Sequence, residues 1–157
     1  MRSGYSDKKE LLVNKRHVLL VLFIVLGVGI VLASQVLNSQ GIEDTVQWIT
    51  NYDEGMASAQ LDGLPVLIEF YADWCGRCRD FEHETWRDPA VIELVNDKFV
   101  CIKIDVDVNS TLRNQYHVSS LPTVVVLTSS GIEIDRLGYV SSSEFQDFLT
   151  QIINQVS

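Results

Sequence analysis

Glu69-Phe70-Tyr71-Ala72-Asp73-Trp74-Cys75-Gly76-Arg77-Cys78-Arg79 decides how the rest of the chain is read. The stretch leads from an apolar run beginning at Val66 into two cysteines three positions apart, at the predicted start of a helix. On a helix, residues at i and i+3 share a face, so the two sulfurs can bond each other. The first cysteine falls where free backbone N–H groups and the positive end of the helix dipole favour an anion. A thiolate is such an anion, and the thiolate is the species that attacks disulfides.

Other uses of a Cys-x-x-Cys pair fit less well. A structural zinc site needs four ligands. Cys101 lies on a predicted strand, and His83 follows Cys78 too closely for easy geometry. An inert staple closing a two-residue loop removes little chain entropy and stabilises weakly. The strand–Cys-x-x-Cys–helix context points to a dithiol redox centre. Three cysteines in all (Cys75, Cys78, Cys101) are too few for a disulfide scaffold, so the close pair reads as catalytic.

Working outward, the 157 residues divide by composition. Residues 1–41 carry five Lys/Arg against two acids, and residues 42–157 carry seven Lys/Arg against nineteen acids, a net −12. So acidic a domain argues against a nucleic-acid partner, because phosphate contacts need clustered Lys and Arg. Residues 18–33 hold no polar side chain, and the apolar segment extends through residue 37. As a helix, 20 residues reach roughly 30 Å, one hydrocarbon core.

The expected organisation is therefore a basic cytoplasmic arm (1–17), a transmembrane anchor (18–37), a short tether (38–41) and a folded domain (42–157). The positive flank keeps the N-terminus cytoplasmic and places the domain on the extracytoplasmic side of the cytoplasmic (inner) membrane, single-pass. A rival reading remains: Val31-Leu32-Ala33 has the small-residue character of a signal-peptide cleavage site. Both readings export the domain.

Within the domain the patterning predicts a strand at 46–49, a helix at 52–61 and a buried strand at 66–71. The cysteine helix to about 86, a helix at 90–97 begun by Asp88-Pro89, and a strand at 99–105 follow. A short helix to about 116, a hairpin of 123–127 with 133–137, and a last helix after the capping box Ser141-Ser142-Ser143-Glu144 complete the order. This alternation implies an α/β fold, a mixed sheet with helices on both faces.

Trp74-Cys75-Gly76-Arg77-Cys78 followed by Ser120-Leu121-Pro122-Thr123 resembles the thioredoxin superfamily over essentially all of 42–157. The longer run from Ala72 through Phe81-Glu82, Thr85 and Asp88-Pro89 to Val91 is most similar to the thioredoxin-like C-terminal domain of DsbD-type disulfide reductases. The resemblance implies a thioredoxin fold and assigns roles. Cys75 would be the exposed nucleophile, and Cys78, more buried, the resolving thiol. Trp74, Gly76 and Arg77 would shape the rim that meets substrate, and Arg77 or Arg79 could favour the thiolate. Pro122 would be the cis-proline facing the cysteines, with the Leu121 backbone pairing with an extended substrate segment. Glu69, six residues before Cys75, would be a buried acid with a raised pKa that relays the Cys78 proton.

The function this implies is a membrane-anchored extracytoplasmic thiol:disulfide oxidoreductase, working as a disulfide reductase with no metal or organic cofactor. Its partners would be disulfide-containing exported proteins or another oxidoreductase, and, with one span only, a separate membrane electron donor. Two alternatives stay open: a thiol oxidase or disulfide isomerase, and a non-catalytic membrane-anchored assembly or binding module. Cys101, among Val100, Ile102 and Ile104, reads as an inert core thiol.

Overall fold

In the computed structural model the described residues are 23–24 and 44–156. The anchor expected at 18–37 lies outside them, apart from Phe23 and Ile24, which are helical. Among the described residues no helix is long and apolar enough to cross a membrane. The folded unit is Glu43–Ser157.

Its elements are β1 (Trp48–Ile49), α1 (Tyr52–Asp62), β2 (Val66–Tyr71), α2 (Gly76–Glu84) and α3 (Pro89–Lys98). They continue with β3 (Val100–Asp105), α4 (Ser110–Gln115), β4 (Thr123–Leu127), β5 (Glu133–Leu137) and α5 (Ser142–Val156). The sheet order is β1-β3-β2-β4-β5, with β1, β3 and β2 parallel and β4 and β5 antiparallel to their neighbours. Helical crossovers make the parallel half, and the turn at 128–132 makes the hairpin.

Strand alternation sorts the core into two layers. Val66, Ile68 and Phe70 join Ala59, Ile102, Ile104, Val125 and Leu127 on one face. Leu67, Cys101, Val124 and Val126 meet Phe81 of α2, Val91 and Val95 of α3, and Phe145, Leu149 and Ile152 of α5 on the other. Trp86 closes the second layer, with ring centroids 4.9 Å from Trp48, 5.2 Å from Phe81 and 5.0 Å from Phe145. On the first, α1 approaches β3 so closely at Gly55 that a Cβ there would lie 2.4 Å from Ile102 Cδ1.

The helix caps follow the local chemistry. Asn51 accepts the Glu54 N–H, and Asp88 accepts those of Ala90 and Val91, ahead of Pro89. Ser141 and Glu144 bond reciprocally as a capping box. Gly63 ends α1 at φ 70°. Two boundaries differ from the sequence reading. The first strand is shorter than 46–49 because the Asn96 side chain takes over its entry: Gln47 N–H donates to Asn96 Oδ1, and Asn96 Nδ2 donates to the Thr45 carbonyl. The cysteine helix stops at Glu84, where the Phe81 carbonyl accepts from both Thr85 and Trp86 N–H and the chain turns toward the Asp88 cap.

Candidate active site

The local sequence places Cys75 at the helix N-cap. Buried β2 ends at Tyr71, the Cys75 N–H donates to the Ala72 carbonyl, and Cys75 itself keeps extended backbone angles while Gly76 begins α2. The Cys78 N–H points back at Cys75 Sγ, 3.1 Å away. This is an N-cap bond with sulfur as the acceptor, and it aims a free helix-terminal donor at the atom that would carry negative charge. Cys75 and Cys78 form a disulfide.

The expected contrast of an exposed Cys75 and a buried Cys78 is corrected. Their exposures are 6% and 5%. The reason lies in packing: both sulfurs belong to the core layer of Ile68, Phe70 and Ala72. Access to Cys75 is through an open cleft of about 380 Å³ lined by Trp74, Cys75, Gly76, Arg77, Arg113, Ser119, Ser120 and Leu121.

Trp74 stands at the rim, 66% exposed, with its indole Nε1 donating to Asp107 Oδ2 at 2.7 Å. Arg77 is exposed, its guanidinium 5.7 Å from the Tyr139 ring centroid. Arg79 is not among the lining residues and donates to the Asp73 carbonyl at 3.0 Å. The Leu121–Pro122 peptide bond is cis. Pro122 itself is buried, and the cleft wall is formed by Leu121 and the two serines before it.

Glu69 is 1% exposed, on the β2 face opposite Ile68. Burial pushes its carboxyl up to about 7, while the Lys103 ammonium and the Trp86 indole act in the other direction. Lys103 Nζ lies 3.4 Å from Glu69 Oε2 and also bonds Glu82. Burial works against that ammonium, but Glu69 and Glu82 outweigh it and hold its pKa above the ordinary value. The rings of Trp48 and Tyr71 flank it, at 5.2 and 5.0 Å. Among the described residues, Glu69 Oε2 and Trp86 Nε1 have no hydrogen-bond partner of good geometry. Glu82 lies four residues after Cys78, on the same face of α2. Lys103 thus joins Glu69 of β2 to Glu82, about one turn beyond Cys78 on α2.

Sequence reasoning missed three residues. Lys103 had a signal: it interrupts the apolar residues of β3 at the position that pairs in register with Glu69. Glu82 had a weaker one in its i+4 spacing from Cys78. Arg113, on α4, had none, because only the fold brings it to the cleft. Cys101 is buried in its strand: burial pushes its thiol up to about 12, and its Sγ lies 3.8 Å from the Val95 carbonyl.

A disulfide capping the helix after the central strand of a β1-β3-β2-β4-β5 mixed sheet, beside a cis X-Pro bond, defines the class: a thioredoxin fold with a Cys-x-x-Cys site. Residues 47–129 match a family model described as Thioredoxin-like, and the chain belongs to that family. Among curated proteins it is 30% identical over 127 residues to the thiol:disulfide interchange protein DsbD of Actinobacillus pleuropneumoniae, covering 76% of this chain and 21% of that protein. It is 37% identical over 109 residues to DsbD of Salmonella typhi, covering 64% and 19%. The chain thus spans about a fifth of the length of these relatives. A thioredoxin from Thermus thermophilus superposes with a TM-score of 0.64 at 30% identity, covering 69% of this chain and 88% of that one. The oxidised C-terminal domain of Neisseria meningitidis DsbD gives 0.56 at 28%, covering 63% and 90%.

Proposed function

We propose that this chain is a thiol:disulfide oxidoreductase, anchored by residues 18–37 in the cytoplasmic membrane, with its thioredoxin-like domain (42–157) on the extracytoplasmic side, and that it works as a disulfide reductase. The observation that carries the chemistry is the Cys75–Cys78 disulfide at the head of α2, with the Cys78 N–H aimed at Cys75 Sγ and the cleft open beside it. The family match and the DsbD relatives support it. Anchoring rests on the apolar run and its basic flank.

In the reduced state the helix terminus favours the Cys75 thiolate. It attacks one sulfur of a substrate disulfide, and the other substrate sulfur leaves as a thiolate. Cys78 then attacks Cys75 Sγ, the second substrate sulfur leaves, and the chain is left with the disulfide seen here. Two electrons pass to the substrate, so no metal or organic cofactor is required. Glu69, with a pKa near 7, is suited to take the Cys78 proton during resolution. Trp74, Gly76, Arg77 and Leu121 contact the incoming segment, with Pro122 fixing the Leu121 backbone. A separate membrane protein returns the electrons, and exported disulfide proteins or another oxidoreductase receive them.

The test is a single-turnover reaction. The chain, reduced beforehand with dithiothreitol and freed of it, should convert a peptide disulfide to its dithiol. Cys78→Ala should stall as the mixed disulfide, and Cys75→Ser should form no adduct. Absence of both turnover and adduct overturns the proposal. The direction is tested by equilibrium with glutathione: a Cys75–Cys78 potential above about −150 mV would mark an oxidase, since thioredoxin lies near about −270 mV and a strong periplasmic oxidase near about −120 mV.

A further inference from the structure

The folded domain is strongly acidic, yet among the described residues the charged side chains in the wall of its redox cleft are both arginines. Of its seven basic side chains, Lys98, Lys103 and Arg136 are ion-paired with carboxylates, and Arg79 bonds the Asp73 carbonyl. Arg77 and Arg113 both line the cleft, from different elements, and among the described residues neither forms an ion pair. Arg113 is held by its Nε, which donates to the Val118 carbonyl at 3.3 Å, so its two terminal nitrogens remain available. Arg77 rests over Tyr139, whose hydroxyl donates to Glu84. The carboxylates nearby are otherwise placed. Asp107 at the rim accepts the Trp74 indole, and Asp80, one turn along α2 from Arg77, is not within ion-pair distance of it. Among the described residues no carboxylate is in the cleft wall, where Ser119 and Ser120 supply the remaining polar groups.

We infer that the cleft selects protein disulfides whose cysteine lies in an acidic segment, with Arg77 and Arg113 receiving the carboxylates that flank the attacked sulfur. The inference rests on the oxidoreductase reading and deepens it by naming the substrate class. Guanidinium groups pair with carboxylates through two parallel N–H bonds, so they also orient the segment beside Cys75. The acidic remainder of the domain repels an acidic partner that approaches elsewhere, so the field steers it to the cleft. The exchange balances as before: the substrate S–S bond breaks, the Cys75–Cys78 bond forms, and the two thiol protons of the chain end on the two substrate thiols.

The test uses the full chain, reduced beforehand, and three disulfide peptides of one length whose flanking residues are glutamates, glutamines or lysines. At low salt the glutamate peptide should react roughly five- to tenfold faster than the glutamine peptide, and the lysine peptide slowest. Raising the salt from about 20 mM to about 0.5 M should collapse the ratios toward one. Arg113→Gln should lower the glutamate-to-glutamine ratio most, and Arg113→Lys, which keeps the charge but not the paired N–H bonds, should lower it less. The ratio separates substrate recognition from any effect of the arginines on the Cys75 thiolate, which would change all three rates alike. Equal rates at both salt concentrations in the unaltered chain overturn the inference and leave the oxidoreductase reading standing. Failure to reduce any of the peptides overturns that reading itself.

Discussion

Glu69→Gln should make the domain more stable above neutral pH, and leave it nearly unchanged in acid. Glu69 is buried, and burial raises its carboxyl from the ordinary 4.5 to about 7. The folded state therefore binds this proton more tightly than the unfolded chain does. Its contribution to stability is full below about 4.5 and is lost as pH rises through about 7. At roughly 1.4 kcal/mol for each tenfold change in proton affinity, the loss amounts to up to about 3 kcal/mol. Glutamine has the shape of the protonated acid and does not titrate. Lys103, which loses one partner, keeps Glu82.

The assay is urea unfolding of the oxidised chain and of Glu69→Gln, from about pH 4 to about pH 9. Titrating groups that do not interact with Glu69 cancel in the difference between the two curves, and Lys103, held above its ordinary pKa, stays charged across this range. The curves should coincide near the acid end and diverge between about pH 5 and about pH 8, the variant becoming more stable by on the order of 2–3 kcal/mol. Parallel curves, or a wild-type chain that gains on the variant as pH rises, would refute the argument that desolvation outweighs the Lys103 attraction.

Three further predictions concern the frame that holds the site. Gly55→Ala gains about 1 kcal/mol of helix propensity but drives a Cβ into the fully buried Ile102, at about 1–3 kcal/mol of overpacking. The net should be a loss in urea midpoint, and Ile102→Val in the same background should recover part of it. Gly63→Ala meets nothing within 4 Å, so its cost of about 1 kcal/mol should come from the backbone at φ 70° alone and should not be relieved by any neighbouring substitution. Asp88→Ala frees the N–H groups of Ala90 and Val91 and should cost about 1 kcal/mol, while Asp88→Asn should retain most of the stability. Chemical denaturation measures each of these.

What could be read without coordinates is what depends on neighbours along the chain. The nearly continuous apolar runs at 66–71 and 99–105 identified buried strands, and Asp88-Pro89 and the Ser141–Glu144 spacing marked helix starts. Cys75 and Cys78 were legible because their chemistry needs only one helical turn. Tertiary packing decided the rest. Asn96 cut short the first strand from across the fold, and close packing buried Cys75 as deeply as Cys78. Lys103 joined Glu69 to Glu82 only once β3 lay beside β2 and α2 covered both. Arg113 reached the cleft because the fold sets α4 and the loop before β4 beside the head of α2. Local pattern fixes which residues can form an element. Which charges meet, and what surrounds a sulfur, depend on contacts between segments remote in sequence.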